Sequence, residues 1–530
     1  MAELKEDLLR PAAYAGGATC VELAETHVSW VFLVGGDVYK VKKPVDLGFL
    51  DFHTVELRRR ACEAEVRLNA RLAPQVYRGV VPVRVGADGR HSVGGPGTTV
   101  DWAVHMTRLP DAQRADVLLA RGELDEASLD AVARRLAAFH AGARCDAETS
   151  AFGSVEAVGR SVLENFAQTR GQVARYVRPL EAAEIEGKQT AFLRDRAALF
   201  EARVEAGRVR DGHGDLRLEH VYLDGDQVTI LDCIEFSERL RFGDVAADVA
   251  FLSMDLAWNG RVDLAERFLA LYARHANDFD LYPLVDFYEG YRAYVRAKVA
   301  MLLAADEGAS EALRARAEHE ARRYLLLSLA VGRTPLLAPA LICVGGLIGA
   351  GKSTVAEHVA RVLSAPVVDA DRTRKHLAGV APTSHLAGGA WDGAYDLAVT
   401  ARVYAEVLRR AGVVLSSGRP VVVDASFRSR GMRRLARDLA RSRGVPCRFV
   451  ECTVARDVGR ARLARREVEQ GVSDARLPLF DEFAARFEPF DELEAAEHLV
   501  LDTGRPWPET RARLDDQMGG WPEVPRARGV

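Results

Sequence analysis

Several common features are missing from this 530-residue chain, and each absence narrows what it does. Cysteine is scarce: seven residues, odd in number, scattered and without a C-x-x-C pair. That argues against a disulfide framework or a zinc site and for a reducing compartment, so a cytoplasmic location is expected. Basic excess is missing too. The net charge is −4 and the pI about 6.4, and no stretch interleaves basic with aromatic residues. Neither nucleic acid nor an anionic membrane is an expected partner. No signal-peptide apolar core follows Met1. The uncharged run 334–351 contains Pro335, Pro339 and several glycines, and reads as linker, buried strand and loop rather than a membrane span.

What is present is an ordinary globular composition, 48% hydrophobic and 28% charged, over a length that implies more than one domain. The most specific stretch is Gly346-Leu-Ile-Gly-Ala-Gly-Lys-Ser353, between the apolar run 340–345 and a helical pattern from Thr354. This is strand, glycine loop, helix, with the G-x-x-x-x-G-K-S spacing of a phosphate-binding loop. Gly346, Gly349 and Gly351 permit positive φ and close approach to an anion. The N–H groups around Ala350 and at the helix start, through Thr354, point at phosphate oxygens. Lys352 supplies a point charge for the outer phosphates, and the Ser353 hydroxyl can hold Mg²⁺. ATP and Mg²⁺ are therefore the expected cofactors.

The first third reads as a small β-rich lobe. Runs 28–34 and 38–42 flank Gly35-Gly36-Asp37, a hairpin signature. Lys40 and Lys42 alternate with valines and so share one strand face. A charged helix over 54–72 carries Glu56, Glu63 and Glu65. Run 80–85 reads as another strand, placed at a sheet edge because of Pro82. A further strand covers 98–106 and a helix 125–140, whose terminal His140 reads as a packed residue rather than a catalyst.

In the middle, Asp224-Gly225-Asp226 turns a hairpin between 221–223 and 228–231. Asp215 precedes its first strand and Asp232 follows its second, so both lie at one end. Phosphoryl transfer to a hydroxyl needs such a pair, one carboxylate to orient or deprotonate the acceptor and one to anchor Mg²⁺.

His213-Gly-Asp215, the hairpin and Leu231-Asp-Cys-Ile-Glu-Phe236 resemble the aminoglycoside phosphotransferase family of the protein-kinase-like fold. The likeness runs from about 28 to 294, and is greater still to bacterial proteins that join such a domain to a P-loop kinase. The resemblance implies that Asp215 is the catalytic base, Asp232 the metal aspartate, Lys40 or Lys42 the phosphate lysine and Glu65 its partner. Asp248 would brace the catalytic loop. The family places Asn, a second metal ligand, where this chain has His220, and imidazole suits Mg²⁺ poorly. Either one metal suffices, a water bridges, or the domain binds without catalysing.

From 262 to 329 the chain reads helical, and a linker is expected at 333–339. Beyond the phosphate loop, short apolar strands at 366–369, 421–424, 445–450 and 498–501 alternate with helices, which implies a parallel sheet with ligands at the strands' carboxyl ends. The region 340–503 resembles the P-loop kinases that include gluconate kinases and Zeta-type toxins. That resemblance implies roles for Asp371 as base, Arg374 as a hold on an anionic part of the substrate, and Asp424 as a Walker B aspartate on Mg²⁺. It also implies a lid in the arginine-rich helix from Arg456, with Arg462, Arg465 and Arg466 as its cations.

The expected architecture is an α+β protein-kinase-like bilobal domain, with lobes 1–110 and 111–332, then an α/β P-loop domain over 340–510 and an irregular tail over 511–530. The expected function is transfer of the γ-phosphoryl of ATP to a hydroxyl of a small molecule, by both domains. A single P-loop kinase with a binding-only first domain, and a nucleic-acid end kinase, are the alternatives.

Overall fold

A computed structural model describes residues 2–521 apart from 17–18, 27, 47–49, 332–337, 383, 385–395, 467–476, 478–479 and 520. Most of the expected linker and the end of the tail lie outside the described residues. The chain divides into two compact units, Met1–Gly260 with Tyr288–Ser328, and Arg261–Phe287 with Leu329–Val530. Among the described residues no helix is long and apolar enough to cross a membrane, and the cysteines are free thiols.

In the first unit a six-stranded antiparallel sheet runs, in spatial order, Glu22–Glu25, Ser29–Val34, Asp37–Lys42, Thr98–Thr107, Tyr77–Val85, His91–Val93. One face packs Trp30, Phe32, Val41 and Val83 against Leu4 and Leu8 of the N-terminal helix. On the other, Val38, Val104 and Met106 meet Cys62 of the helix Val55–Asn69. That helix starts where the Thr54 hydroxyl accepts from Leu57 N–H. Period-two alternation aims Lys40 and Lys42 at it together with Val38.

Strand Tyr77–Val85 is a correction. It is not at the edge but lies between Thr98–Thr107 and the three-residue strand His91–Val93. The short strand pairs only with Val83–Val85, so it ends before it would need an N–H from Pro82; the Pro82 carbonyl accepts from Gly94 instead. The rest of the unit is mostly helical, around the hairpin Val221–Asp224/Gln227–Ile230 and the ladder Val209–Asp211/Phe242–Asp244.

The second unit holds a five-stranded parallel sheet in the order Val367–Asp369, Val421–Asp424, Leu341–Gly346, Cys447–Thr453, His498–Asp502. Crossover helices cover it, and the core joins Ile342, Val344, Val422 and Val450 to Val355 and Val359. The tail needs a second correction: Trp507–Met518 is a helix. Pro508 suits its first turn, and Thr510, Leu514 and Met518, spaced by four, are buried under the sheet.

Candidate functional site

In the first unit the lysine strand, the Glu65 helix and the hairpin meet. Lys40 Nζ lies 2.9 Å from Glu65 and 2.6 Å from Asp232. Lys42 Nζ lies 2.5 Å from Glu65 and pairs with Glu235 as well. The two lysines are not equivalent. Lys42 is sealed in, whereas Lys40 shares the open side with half-exposed Asp232. Burial opposes the charge on all five groups. For the lysines, Asp232, Glu65 and Glu235 outweigh it, and both stay protonated far into the alkaline range. Sequence reasoning passed over Glu235; its position inside Leu231-Asp-Cys-Ile-Glu-Phe236 was the available signal.

Asp232 has φ +63, a left-handed backbone that aspartate adopts at a cost. The Asn69 side chain braces the turn by accepting from Cys233 N–H at 2.8 Å. Asp215 and Asp232 do lie at one end of the hairpin, with His220 between them. The imidazole Nδ1 is 2.8 Å from the Asp215 carbonyl, and Nε2 is 3.7 Å from Asp232 Oδ2. Burial opposes ionisation of Asp215, but Arg217, His220 and Arg296 more than offset it and hold the carboxyl well below the ordinary range. Arg217, which sequence reading also passed over, donates to both Asp215 oxygens at 3.2 Å. Behind the loop, Asp248 accepts from His213 N–H at 2.6 Å and Gly214 N–H at 2.9 Å. His140 is buried and lies 3.3 Å from the same carboxylate.

In the second unit Gly346, Gly349 and Gly351 have φ of +131, +78 and +78. At two of them a substituent has no room: a Cβ on Gly346 would stand 2.3 Å from the Cys452 carbonyl oxygen, and one on Gly349 2.7 Å from that of Gly459. The helix Lys352–Val362 therefore opens with Ser353 and Thr354 exposed and its first N–H groups turned outward. Lys352 Nζ donates to the Leu347 carbonyl at 3.1 Å, inside the loop. Ala350 is buried, its carbonyl accepting from Thr503 Oγ1 at 2.7 Å. This cradle fits a nucleotide phosphate.

Asp424 ends the strand beside the loop; burial pushes its carboxyl up, against the opposing pull of Lys352 and the Ser353 hydroxyl. Its register partner on the next strand is Asp369, which caps the helix Ala370–Leu377 by accepting from Arg372 N–H at 2.6 Å. Burial, then Asp424 and Asp371, push the Asp369 carboxyl up to about 8. Asp371 accepts from Arg374 at 2.7 Å. Among the described residues no group of three His, Cys, Asp or Glu side chains could hold a metal by itself, so a cation here would take phosphate oxygens and water as ligands.

The helix Arg456–Arg466 lies against the loop through Gly459 and the fully buried Leu463. Arg462 donates to the Thr503 carbonyl at 2.6 Å, and one of its guanidinium nitrogens stands 3.4 Å from where a Gly351 Cβ would be. Arg465 is exposed. The Arg466 side chain lies outside the described residues.

Residues 49–291 match the model of the APH phosphotransferase enzyme family, and 341–490 that of an AAA domain, AAA_33. An uncharacterised protein of Mycobacterium tuberculosis H37Rv is 36% identical over 471 residues, covering 89% of this chain and 91% of its own. A Mycobacterium bovis protein matches to the same extent. Among solved structures, a Sinorhizobium meliloti gluconokinase is 22% identical over 34% of this chain and 97% of its own, at TM-score 0.25. The GDP complex of aminoglycoside 2'-phosphotransferase-IIIa is 15% identical over 62% and 99%, at TM-score 0.37. The chain belongs to the same family as its mycobacterial relatives, an APH-type phosphotransferase region followed by a kinase-like P-loop region.

Proposed function

We propose that the protein is a cytoplasmic, bifunctional ATP-dependent phosphotransferase, each region moving a γ-phosphoryl group to a hydroxyl of a small molecule. The observation that carries this reading is duplication: each unit brings together its own lysine, metal-type aspartate and second carboxylate. In the first, Lys40 holds phosphate, Glu65 holds Lys40, and Asp215 takes the acceptor proton. In the second, the glycine loop and Lys352 hold phosphate, Asp371 takes the proton, and Arg374 and Arg462 balance negative charge. Mg²⁺ would be held by Asp232 in one site and by Ser353 and Asp424 in the other, supplying charge neutralisation on the phosphates. In each transfer the acceptor oxygen bonds to phosphorus as the bond to the ADP oxygen breaks, and the hydroxyl proton passes to the carboxylate.

A second reading has one specific observation behind it. His220 stands between Asp215 and Asp232, where it would leave the first region able to bind nucleotide but not to transfer. Both are tested by ³¹P detection of products from a panel of hydroxylated metabolites, using the full chain and its Asp215→Asn, Lys352→Ala and doubly substituted forms. Two sites predict that each single variant loses different products and that the double variant loses all. If Lys352→Ala removes every product and Asp215→Asn none, bifunctionality is wrong and the second reading stands.

A further inference from the structure

Beside the catalytic loop the first unit has a half-open cavity of about 300 Å³. The helix Val155–Thr169, the segment 239–248 and residues Tyr288, Tyr291 and Arg292 wall it. Lys40, Lys42, Asp215 and Asp232 do not, so it is distinct from the phosphoryl-transfer site.

The charges in its walls are unevenly matched. Asp244 accepts two bonds from Arg203 and one from Ala246 N–H. Asp248 is saturated by His213, Gly214 and His140. Arg241 is engaged by Asp211 and the Ile234 carbonyl, and Arg239 by Glu164. Arg292 differs. It is 8% exposed, and its hydrogen bonding amounts to one contact from Nε to the Ala247 carbonyl at 3.3 Å. Its guanidinium lies over the rings of Phe251 and Tyr291, 4.8 and 5.6 Å from their centres. Among the described residues no carboxylate stands within ion-pair distance of it. Ring faces and one long bond do not replace the water that a buried guanidinium gives up. Arg160, exposed in the wall, adds a second cation, and Glu156, also exposed, is the opposing charge. Phe152, Phe242 and Tyr291 supply flat apolar surface.

We infer that this cavity binds a small organic anion, a carboxylate or phosphate monoester on a flat apolar body, with its charge on Arg292. The ligand lies against Asp248, whose carboxylate fixes the two residues preceding Asp215, so occupancy is felt by the catalytic loop.

Calorimetric titration of the full-length protein with benzoate and with phenyl phosphate tests this, in a Lys352→Ala background so that the glycine loop does not take the phosphate arm. Saturable one-to-one binding of at least one probe is expected; which one binds distinguishes a carboxylate from a phosphate ligand. Arg292→Gln should weaken it about tenfold or more, and Arg292→Lys less. Ala157→Leu, which fills the cavity without touching a charge, should block it, and this variant decides the matter if Arg292→Gln does not fold. The proposal falls if neither probe binds, or if binding survives Ala157→Leu unchanged.

Discussion

Two aspartates at the ends of neighbouring strands, Asp369 and Asp424, and a third in the helix that follows, Asp371, cannot all carry charge cheaply. Asp369 yields: burial and its neighbours Asp424 and Asp371 push it up to about 8. The unfolded chain loses that proton at about pH 4, so between the two values the folded form holds a proton that the unfolded form lacks. The contribution of this group to stability is therefore complete below about pH 4 and declines as pH rises toward 8. Asp369→Asn keeps an N-cap acceptor and removes the charge. By scanning calorimetry of nucleotide-free protein, the variant should melt several degrees above the parent at pH 8, with the gap closing by pH 5. A constant gap would mean that Asp369 is ionised throughout. Asp371 and Asp424 were legible in the sequence because the stretches Asp371-Arg-Thr-Arg374 and Val421-Val-Val-Asp424 are local patterns. Asp369 was not singled out, since its importance comes from strand order, which places it opposite Asp424.

Elements were legible where their own residues dictate them. Gly35-Gly36 turns a hairpin, Thr54 and Asp125 start helices, and the glycine loop joins strand to helix. They were misread where a distant partner decides. Pro82 sits inside a sheet because its outer neighbour is short, and the helix Trp507–Met518 forms because a sheet is there to bury its apolar stripe. The contact between the glycine loop and the arginine helix combines both cases. Positive φ at Gly349 follows from the motif, but its closeness to Gly459 does not. Gly349→Ala adds backbone strain of about 1–3 kcal/mol and a clash that pushes the loop from the helix. Fluorescent-nucleotide titration should show affinity at the second site falling about tenfold or more, with binding left in a Lys352→Ala background unchanged. Unaltered affinity would show that this contact does not shape the phosphate cradle.

At the scale of the whole molecule, family boundaries and compact units do not coincide. The phosphotransferase match runs to residue 291, yet Arg261–Phe287 packs within the second unit. Ion pairs tie the segment to the rest of that unit. Arg419, 7% exposed and just ahead of the strand that ends in Asp424, donates to Glu266 and to Asp286 at 2.7 Å each. Glu357, one turn beyond Ser353 on the phosphate-loop helix, pairs with Arg274 and lies 3.5 Å from Arg267. The Arg419–Glu266 pair spans 153 residues, and nothing local announces it. Breaking a buried pair from one side strands the other charge, at a cost of about 3–5 kcal/mol when no partner remains. Glu266→Gln leaves Asp286, so a loss of roughly 1–3 kcal/mol is expected on the same principle. It should appear as earlier unfolding of the second unit, read by hydrogen exchange in the strand Val421–Asp424. Protection of the strand Asp37–Lys42 should not change. If the loss fell equally on both strands, or on neither, the segment would not belong to the folding unit of the P-loop kinase.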